Sequence, residues 1–561
     1  MHRWAPAIWI SVAAIALGCS GGTTSADAGA PNPENDAAAR GGNGGGETGA
    51  AGTPGMGGAG GAAVSGSGGG PVDAGPDAPA TGTGGAAGSP GTAGAAGGAA
   101  SAGAGGTAAG GAAAGGAGGM GVGGAAGMAG AGGAPPVGGT CADLFEQTLQ
   151  TFSIDISASD WAAIQSEFVT AAQLPDEMFV QYDPTYYPVV FHYGSETVSD
   201  AYIRLKGDSS WREAATIDGQ NGKMQFVVAF DQIDDKADFH GVSKLVFDMP
   251  RTDPTFMRDR IATRWLRSIG VPAICATSAL LTVNGSLYGL FVAEEKVNHH
   301  FVKQWFPGNS DGDLFKGGWT PETNKSAPNW TRLDQFWGAT TPIQLAAIVD
   351  LSPSLLAWAA EAMLNDGDGY YGGDHNFYIY DEGPSQGYAF FPNDLDSSLD
   401  YLGQFKNDPI CWWSTRHYVP EVPPQYRIMV ADDGLRARYI AALGTQLGKW
   451  NVADIQSWID TAATQIAPGV EADPHKPSTT TLATFQAAVA LERQGIQDRA
   501  DYVSSWLACR ASGSGVDQDG DGTIWCLDCR DDDPTIHPGA PEICGNGIDE
   551  NCNGLFDEGC P

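Results

Sequence analysis

Two groups of acids stand out in the stretch 365–400, NDGDGYYGGDHNFYIYDEGPSQGYAFFPNDLDSSLD. Asp366, Asp368 and Asp374 are closed by His375 and Asn376, and Asp394 and Asp396 form the second group. Carboxylates joined by an amide oxygen are hard donors, the set that suits Mg²⁺. Acids held that close repel one another, so a cation or shared protons must offset the cost. Between the groups, FYIY and YAFF read as strands, and Glu382 to Gly387 reads as the turn between them. A hairpin would bring both groups to one end of a single ribbon. The competing reading is a solvated loop rich in Asp and Gly.

The elements that must carry this ribbon follow from periodicity. Phe152 to Ile156 alternates like a strand, and Val189 to His192, Asp200 to Leu205, Lys223 to Phe230 and Lys244 to Phe247 also read as strands. A helix is expected from Ser157 to Phe168, and another from Thr255 to Ile269, ended by Gly270 and Pro272. Asn284-Gly285 between two apolar runs signals a two-residue hairpin. Lys206 to Trp211 reads as a polar turn between strands. After Glu294 the pattern turns helical: Ile343 to Leu364 (interrupted near Pro353), then Arg436 to Lys449, Val452 to Ile466 and Leu482 to Trp506. A mainly antiparallel sheet with one helix across it, then helices, with a metal-like site between them, predicts a two-lobed α+β domain with a cleft.

The chain has 561 residues, with 65 acids against 29 bases and a formal charge of −36. Such a surface repels nucleic acid and anionic lipid, so neither is expected as a partner. Most of the 81 glycines fall before residue 140, in a segment that cannot form a packed core. Residues 1–19 read as a leader: Arg3, an apolar run, then Ala16-Leu17-Gly18-Cys19, which resembles a bacterial lipoprotein cleavage box. Lipid on Cys19 would place the protein outside the cytoplasm, periplasmic or at the cell surface, with membrane contact through the anchor only. Residues 20–140 then form a flexible tether, 141–510 the main domain and 511–561 a small appendage.

The order of motifs from about Phe145 to Trp506 resembles the CotH family, the spore-coat-protein-H-like atypical protein kinases. The matching stretches are YIRLKGDSSW at 202–211, KMQFVVAFD at 223–231, FMRDRIATRWLRSIGVPA at 256–273 and LTVNGSLYGLFVAEEKVNHHFV at 281–302. They continue through GDLFKG at 312–317, NDGDGYYGGDHNFYIY at 365–380 and FPNDLDSSLD at 391–400, where Asn393 stands in a place the family commonly gives to an aromatic. The resemblance implies a kinase-like fold, an antiparallel β-rich N-lobe and a helical C-lobe, and phosphate transfer from ATP with Mg²⁺ to a protein hydroxyl. By position, Asp366 looks like the catalytic-loop acid, with Asp368 and Asp374 as alternatives. Asn376, Asp394 and Asp396 look like metal ligands. Lys223 looks like the phosphate-binding lysine. Lys206 is second choice, with Ser209 in its turn, which could fold over phosphates. Arg258 could contact phosphate, Asp259 could orient the lysine, and Glu294 lies in the stretch expected to form the hinge beside adenine.

In the appendage, Asp517, Asp519, Asp521 and Gly522 have the spacing of a calcium loop, with Asp528 at position twelve. Asp549, Asn551, Asn553 and Gly554 repeat the offsets, with Asp557 at nine. The segment also resembles the Cys-rich metal-binding repeat typified by the copper-binding MopE. Its hard oxygens favour Ca²⁺ over copper. Apart from Cys19, nine cysteines remain, so export predicts disulfides with at least one thiol left over or bonded to another molecule. Two functions compete: a surface-tethered kinase acting on a protein substrate, and a non-catalytic, calcium-stabilised surface binding or scaffold protein. A metal-activated hydrolase is a third.

Overall fold

The computed structural model describes residues 141–179, 182–207, 209–216, 222–249, 253–373, 375–399, 407–411 and 422–560. The leader, Cys19, the tether and Asp374 lie outside the described residues.

The first half is built from β1 (Gln150–Asp155), α1 (Ala158–Ala171), α2 (Asp176–Phe179), β2 (Tyr187–Tyr193), β3 (Glu196–Lys206) and α3 (Ser209–Thr216). β4 (Gln225–Ala229), β5 (Lys244–Asp248), α4 (Arg258–Ile269), β6 (Ala276–Val283) and β7 (Ser286–Glu295) complete it. The expected antiparallel sheet is present, but it closes on itself as a barrel in the order β1-β2-β3-β4-β5-β7-β6. Closure is made by β1 running parallel to β6, with Phe152 opposite Leu281. Phe152, Phe191, Phe226, Phe247 and Phe291 fill its interior. Asn284 and Gly285 both take positive φ, 51° and 78°, as a two-residue hairpin turn of this kind requires. The polar turn between strands expected from Lys206 to Trp211 is corrected: β3 ends at Lys206 and a helix, α3, begins at Ser209.

The second half contains α5 (His299–Trp305), β8 (Leu314–Lys316), β9 (Thr320–Pro321), α6 (Trp330–Trp337), α7 (Pro342–Ile348), α8 (Leu351–Leu364) and α9 (Tyr370–Gly373). β10 (Phe377–Asp381), β11 (Tyr388–Pro392), α10 (Pro424–Ala431), α11 (Asp433–Lys449), α12 (Val452–Ala472) and α13 (Leu482–Ser512) follow. The helix break lies at Val349-Asp350, where Asp350 caps α8, and not at Pro353, which sits in the first turn where proline is tolerated. β10 and β11 pair antiparallel, and with β8 and β9 they form a second sheet, order β11-β10-β8-β9. Trp358, Tyr370, Phe377, Phe390 and Tyr426 lie in the core of this half.

Residues after α13 form turns held by disulfides Cys509–Cys526, Cys529–Cys552 and Cys544–Cys560, and Cys141–Cys275 ties the start of the domain to the barrel. Cys411, outside these pairs, is buried. Cys526, Cys529 and Ile536 belong to the same core as α13, so the segment is packed against the helices.

Candidate functional site

The β10–β11 register sets the site. Phe377 pairs with Pro392, and the next residue out, Asn393, donates its N–H to the Asn376 carbonyl at 2.8 Å. Asn376 and Asp394 thus leave the same end of the ribbon. Both adopt left-handed backbone, φ 45° and 59°, which turns the chain sharply at each. Leu395 N–H donates to Asp259 Oδ1 at 2.6 Å, and an Arg258 guanidinium N–H donates to the Asp396 carbonyl at 3.1 Å. The start of α4 therefore grips the backbone on which Asp394 and Asp396 stand.

That grip corrects two expectations. Arg258 is buried beside Asp253 and Glu492 and holds the acid loop, so it is placed as a positioning residue and not against phosphate. Asp259 fixes the same loop, and among the described residues it makes no ion pair with a lysine.

Lys223 and Lys206, first and second choice for the phosphate-binding lysine, sit in different surroundings. Lys223 is 1 % exposed and forms an ion pair at 2.7 Å with Asp473, itself buried after α12. Its ammonium also donates to the Leu290 carbonyl at 2.5 Å and lies over the Phe291 ring. Gly289 permits this approach, since a Cβ there would fall 2.9 Å from Lys223 Cε. Lys223 is thus enclosed in a link between barrel and α12. Lys206 pairs with Asp248 at 2.6 Å, at the barrel end where Glu294 and Asp394 also lie close enough to raise its pKa. Burial opposes its charge, but these acids outweigh burial. Glu294, expected beside adenine, belongs to this acid group instead, because the strand alternation turns its side chain toward Asp248 and Lys206.

The group carries more acid than base. Burial first, then neighbouring acids, hold Asp259 and Glu294 well above the ordinary carboxylate range. Burial raises Asp248 as well, against the pull of Lys206. Glu294 Oε1 is buried without a hydrogen-bond partner. A hard divalent cation fits such a set by its donor chemistry and by the charge it would neutralise. Sequence reasoning missed Asp248, which nothing but its place at a strand end distinguishes. It also missed Lys296, whose ammonium burial pushes down to about 8 although Glu322 lies 3.6 Å away.

Of the three candidate bases, Asp366 and Asp368 fall within the described residues, and they differ. Asp366 is fully buried, and its Oδ2, which has no hydrogen-bond partner, lies 2.6 Å from where a Gly369 Cβ would stand. Burial, then Glu361 and Asp368, push its pKa far up. Asp368 is exposed, and its Oδ2 accepts a hydrogen bond from the Asn376 amide at 3.0 Å. Asp368 is therefore open to solvent beside Asn376, whereas Asp366 is enclosed. Ser209 opens α3 three residues after Lys206.

Residues 203–511 match the CotH kinase protein family. The chain belongs to the CotH kinase family. Residues 528–558 match the Cu-binding MopE metal-binding motif. No curated protein matches the chain. Among solved structures, the crystal structure of a Helicobacter pylori proinflammatory kinase, CtkA, is similar at 10 % identity with a TM-score of 0.27. The similarity covers 51 % of this CotH chain and 95 % of that one.

In the C-terminal segment of this CotH protein, carboxylate oxygens of Asp519, Asp521 and Asp528 come within 4.8 Å of one another, as do those of Asp517, Asp519 and Asp531. Asp531 was not anticipated. The second predicted loop is held by its own hydrogen bonds. Asp549 accepts from the N–H groups of Asn553 and Gly554. Asn551 and Asn553 turn their amides to Glu558. Asp557 accepts from the N–H groups of Gly545, Asn546 and Gly547, so it caps a neighbouring turn.

Proposed function

We propose that this CotH chain is a two-lobed atypical protein kinase, exported and lipid-anchored through Cys19, that transfers phosphate from Mg-ATP to hydroxyls of proteins at the cell surface. The carrying observation is that Lys206 is ion-paired inside the same acid group that Asp394 joins. Asp394, Asp396 and Asn376 would hold Mg²⁺, and Mg-ATP supplies the transferable phosphoryl group with its charge partly neutralised. Lys206 and Lys296 hold phosphate oxygens, and Asp248 and Glu294 fix the Lys206 ammonium. Asp368 takes the proton of the acceptor hydroxyl, oriented by the Asn376 amide. Arg258 and Asp259 keep Asp394 and Asp396 in place from α4. The C-terminal segment binds Ca²⁺ through Asp519, Asp521 and Asp528, with Asp517 and Asp531 at its edge.

Transfer of radiolabel from the γ-position of ATP to protein tests the reading. Asp394→Asn is expected to lower transfer at least ~10²-fold, since direct metal ligands matter more than their supports. Equal labelling by both proteins would reject it.

A further inference from the structure

The acids of the C-terminal segment are held in a way the kinase reading does not use. One oxygen of each is fixed by the backbone: Asp519 Oδ1 accepts from Asp521 N–H at 3.2 Å, Asp521 Oδ1 from Thr523 N–H at 2.6 Å, and Asp528 Oδ1 from Arg530 N–H at 2.8 Å. The other oxygen of each, Oδ2, is buried with no hydrogen-bond partner. Asp528 is only 3 % exposed. Three carboxylates that offer one pre-aimed oxygen each to a common point make a hard-cation site. Without a cation, their mutual repulsion opposes the fold that assembles them.

That fold begins and ends on one helix. The loop leaves α13 at Gly513 and returns through Trp525, whose ring lies tilted against Tyr502 of α13 with centroids 5.6 Å apart, and Cys526, bonded to Cys509 of α13. Further along, α13 organises the catalytic half. Trp506 Nε1–H donates to Asp408 Oδ2 at 2.7 Å, and the Arg499 guanidinium donates to the carbonyls of Ala362 and Asn407. Ala362 lies in the last turn of α8, just before the candidate catalytic loop. Glu492 accepts from Thr255 Oγ1 at 2.8 Å, beside the Arg258 that grips the acid loop.

We infer that a Ca²⁺ ion bound by Asp519, Asp521 and Asp528 is a fastening that locks the C-terminal segment onto α13 and so stabilises the catalytic half of the protein. The inference rests on the Ca²⁺ reading of this segment and adds what the ion does. The segment is then an integral, calcium-dependent part of the kinase domain, and only Asp528 of the three ligands falls within the matched motif at 528–558.

The test uses the full chain, stripped with chelator and titrated with CaCl₂. Calorimetry reads binding, with Kd expected at roughly 10⁻⁴–10⁻³ M for an extracellular module. Thermal melting and amide exchange at 407–411 and α13 read the fastening. At about 100-fold above Kd, Ca²⁺ is expected to raise the melting temperature by about 3 °C and to slow exchange at both places. Asp521→Asn and Asp528→Asn are each expected to weaken binding at least tenfold and to remove both effects. Asp521→Asn carries the test if the buried Asp528→Asn fails to fold. No heat of binding in the unaltered chain would overturn the Ca²⁺ reading itself. Binding without a change in melting or exchange would overturn the fastening alone.

Discussion

The different surroundings of Lys206 and Lys223 allow the sharpest test. Lys223→Met removes one partner of an ion pair whose side chains are each 1 % exposed. Stranding a buried charge costs about 3–5 kcal/mol. Asp473 keeps hydrogen bonds from the N–H groups of Leu290 at 2.9 Å and His475 at 2.7 Å, so the lower end, about 3 kcal/mol, is expected here. Lys206→Met differs. Burial already raises its partner Asp248, and that acid can take up a proton, which limits the stability loss to about 2 kcal/mol. Loss of an ammonium aimed at transferring phosphate should instead lower kcat by roughly 10²–10³-fold. Urea melts and single-turnover phosphate transfer on folded protein, both at neutral pH, separate the two effects. Lys223→Met should lose about 3 kcal/mol yet transfer at a rate near the parent's, and Lys206→Met should lose no more than about 2 kcal/mol while its transfer falls by roughly 10²–10³-fold. A folded Lys223→Met that has lost transfer, beside an active Lys206→Met, would refute the assignment.

Two further outcomes follow from the same geometry. Asp368→Asn should lower phosphate transfer at least ~10²-fold, whereas Asp366→Asn, which replaces an enclosed acid with a neutral group of similar shape, should leave transfer within a few-fold; steady-state kinetics of both variants decide it. Glu361 is 1 % exposed, and burial pushes its carboxyl up to about 8, against the N–H groups of Tyr371 and Tyr370. Because the folded chain holds this proton and the unfolded chain releases it near 4.5, stability should fall as pH rises from about 4.5 to about 8, by up to ~1.4 kcal/mol per unit. Glu361→Gln, which cannot ionise, should flatten that part of the stability–pH curve measured by urea melts.

Much of the fold was legible because it is local. Alternation marked β1, short apolar runs marked β4 and β5, Gly270 ended α4 with φ 84°, and the FYIY–YAFF ribbon formed as its turn residues demanded. The ribbon also carried the central part of the site, since a hairpin register alone brings Asn376 and Asp394 to one end. What failed was local reading of non-local partners. A buried strand-starting lysine and one at a strand's end look alike in sequence. Asp473 lies 250 residues from Lys223, and Asp248 lies 42 from Lys206.

Residue types and spacing by themselves marked a Gly-rich N-terminal segment, a β-rich then helical middle and an acid-rich, cysteine-rich end, because composition and short-range period need no partner. Which lysine meets the acids, which acid meets solvent, and whether the last fifty residues stand apart were decided only by tertiary structure. Burial and charge pairing are properties of the closed barrel and of α13, whose contacts join segments that no short stretch of sequence places together.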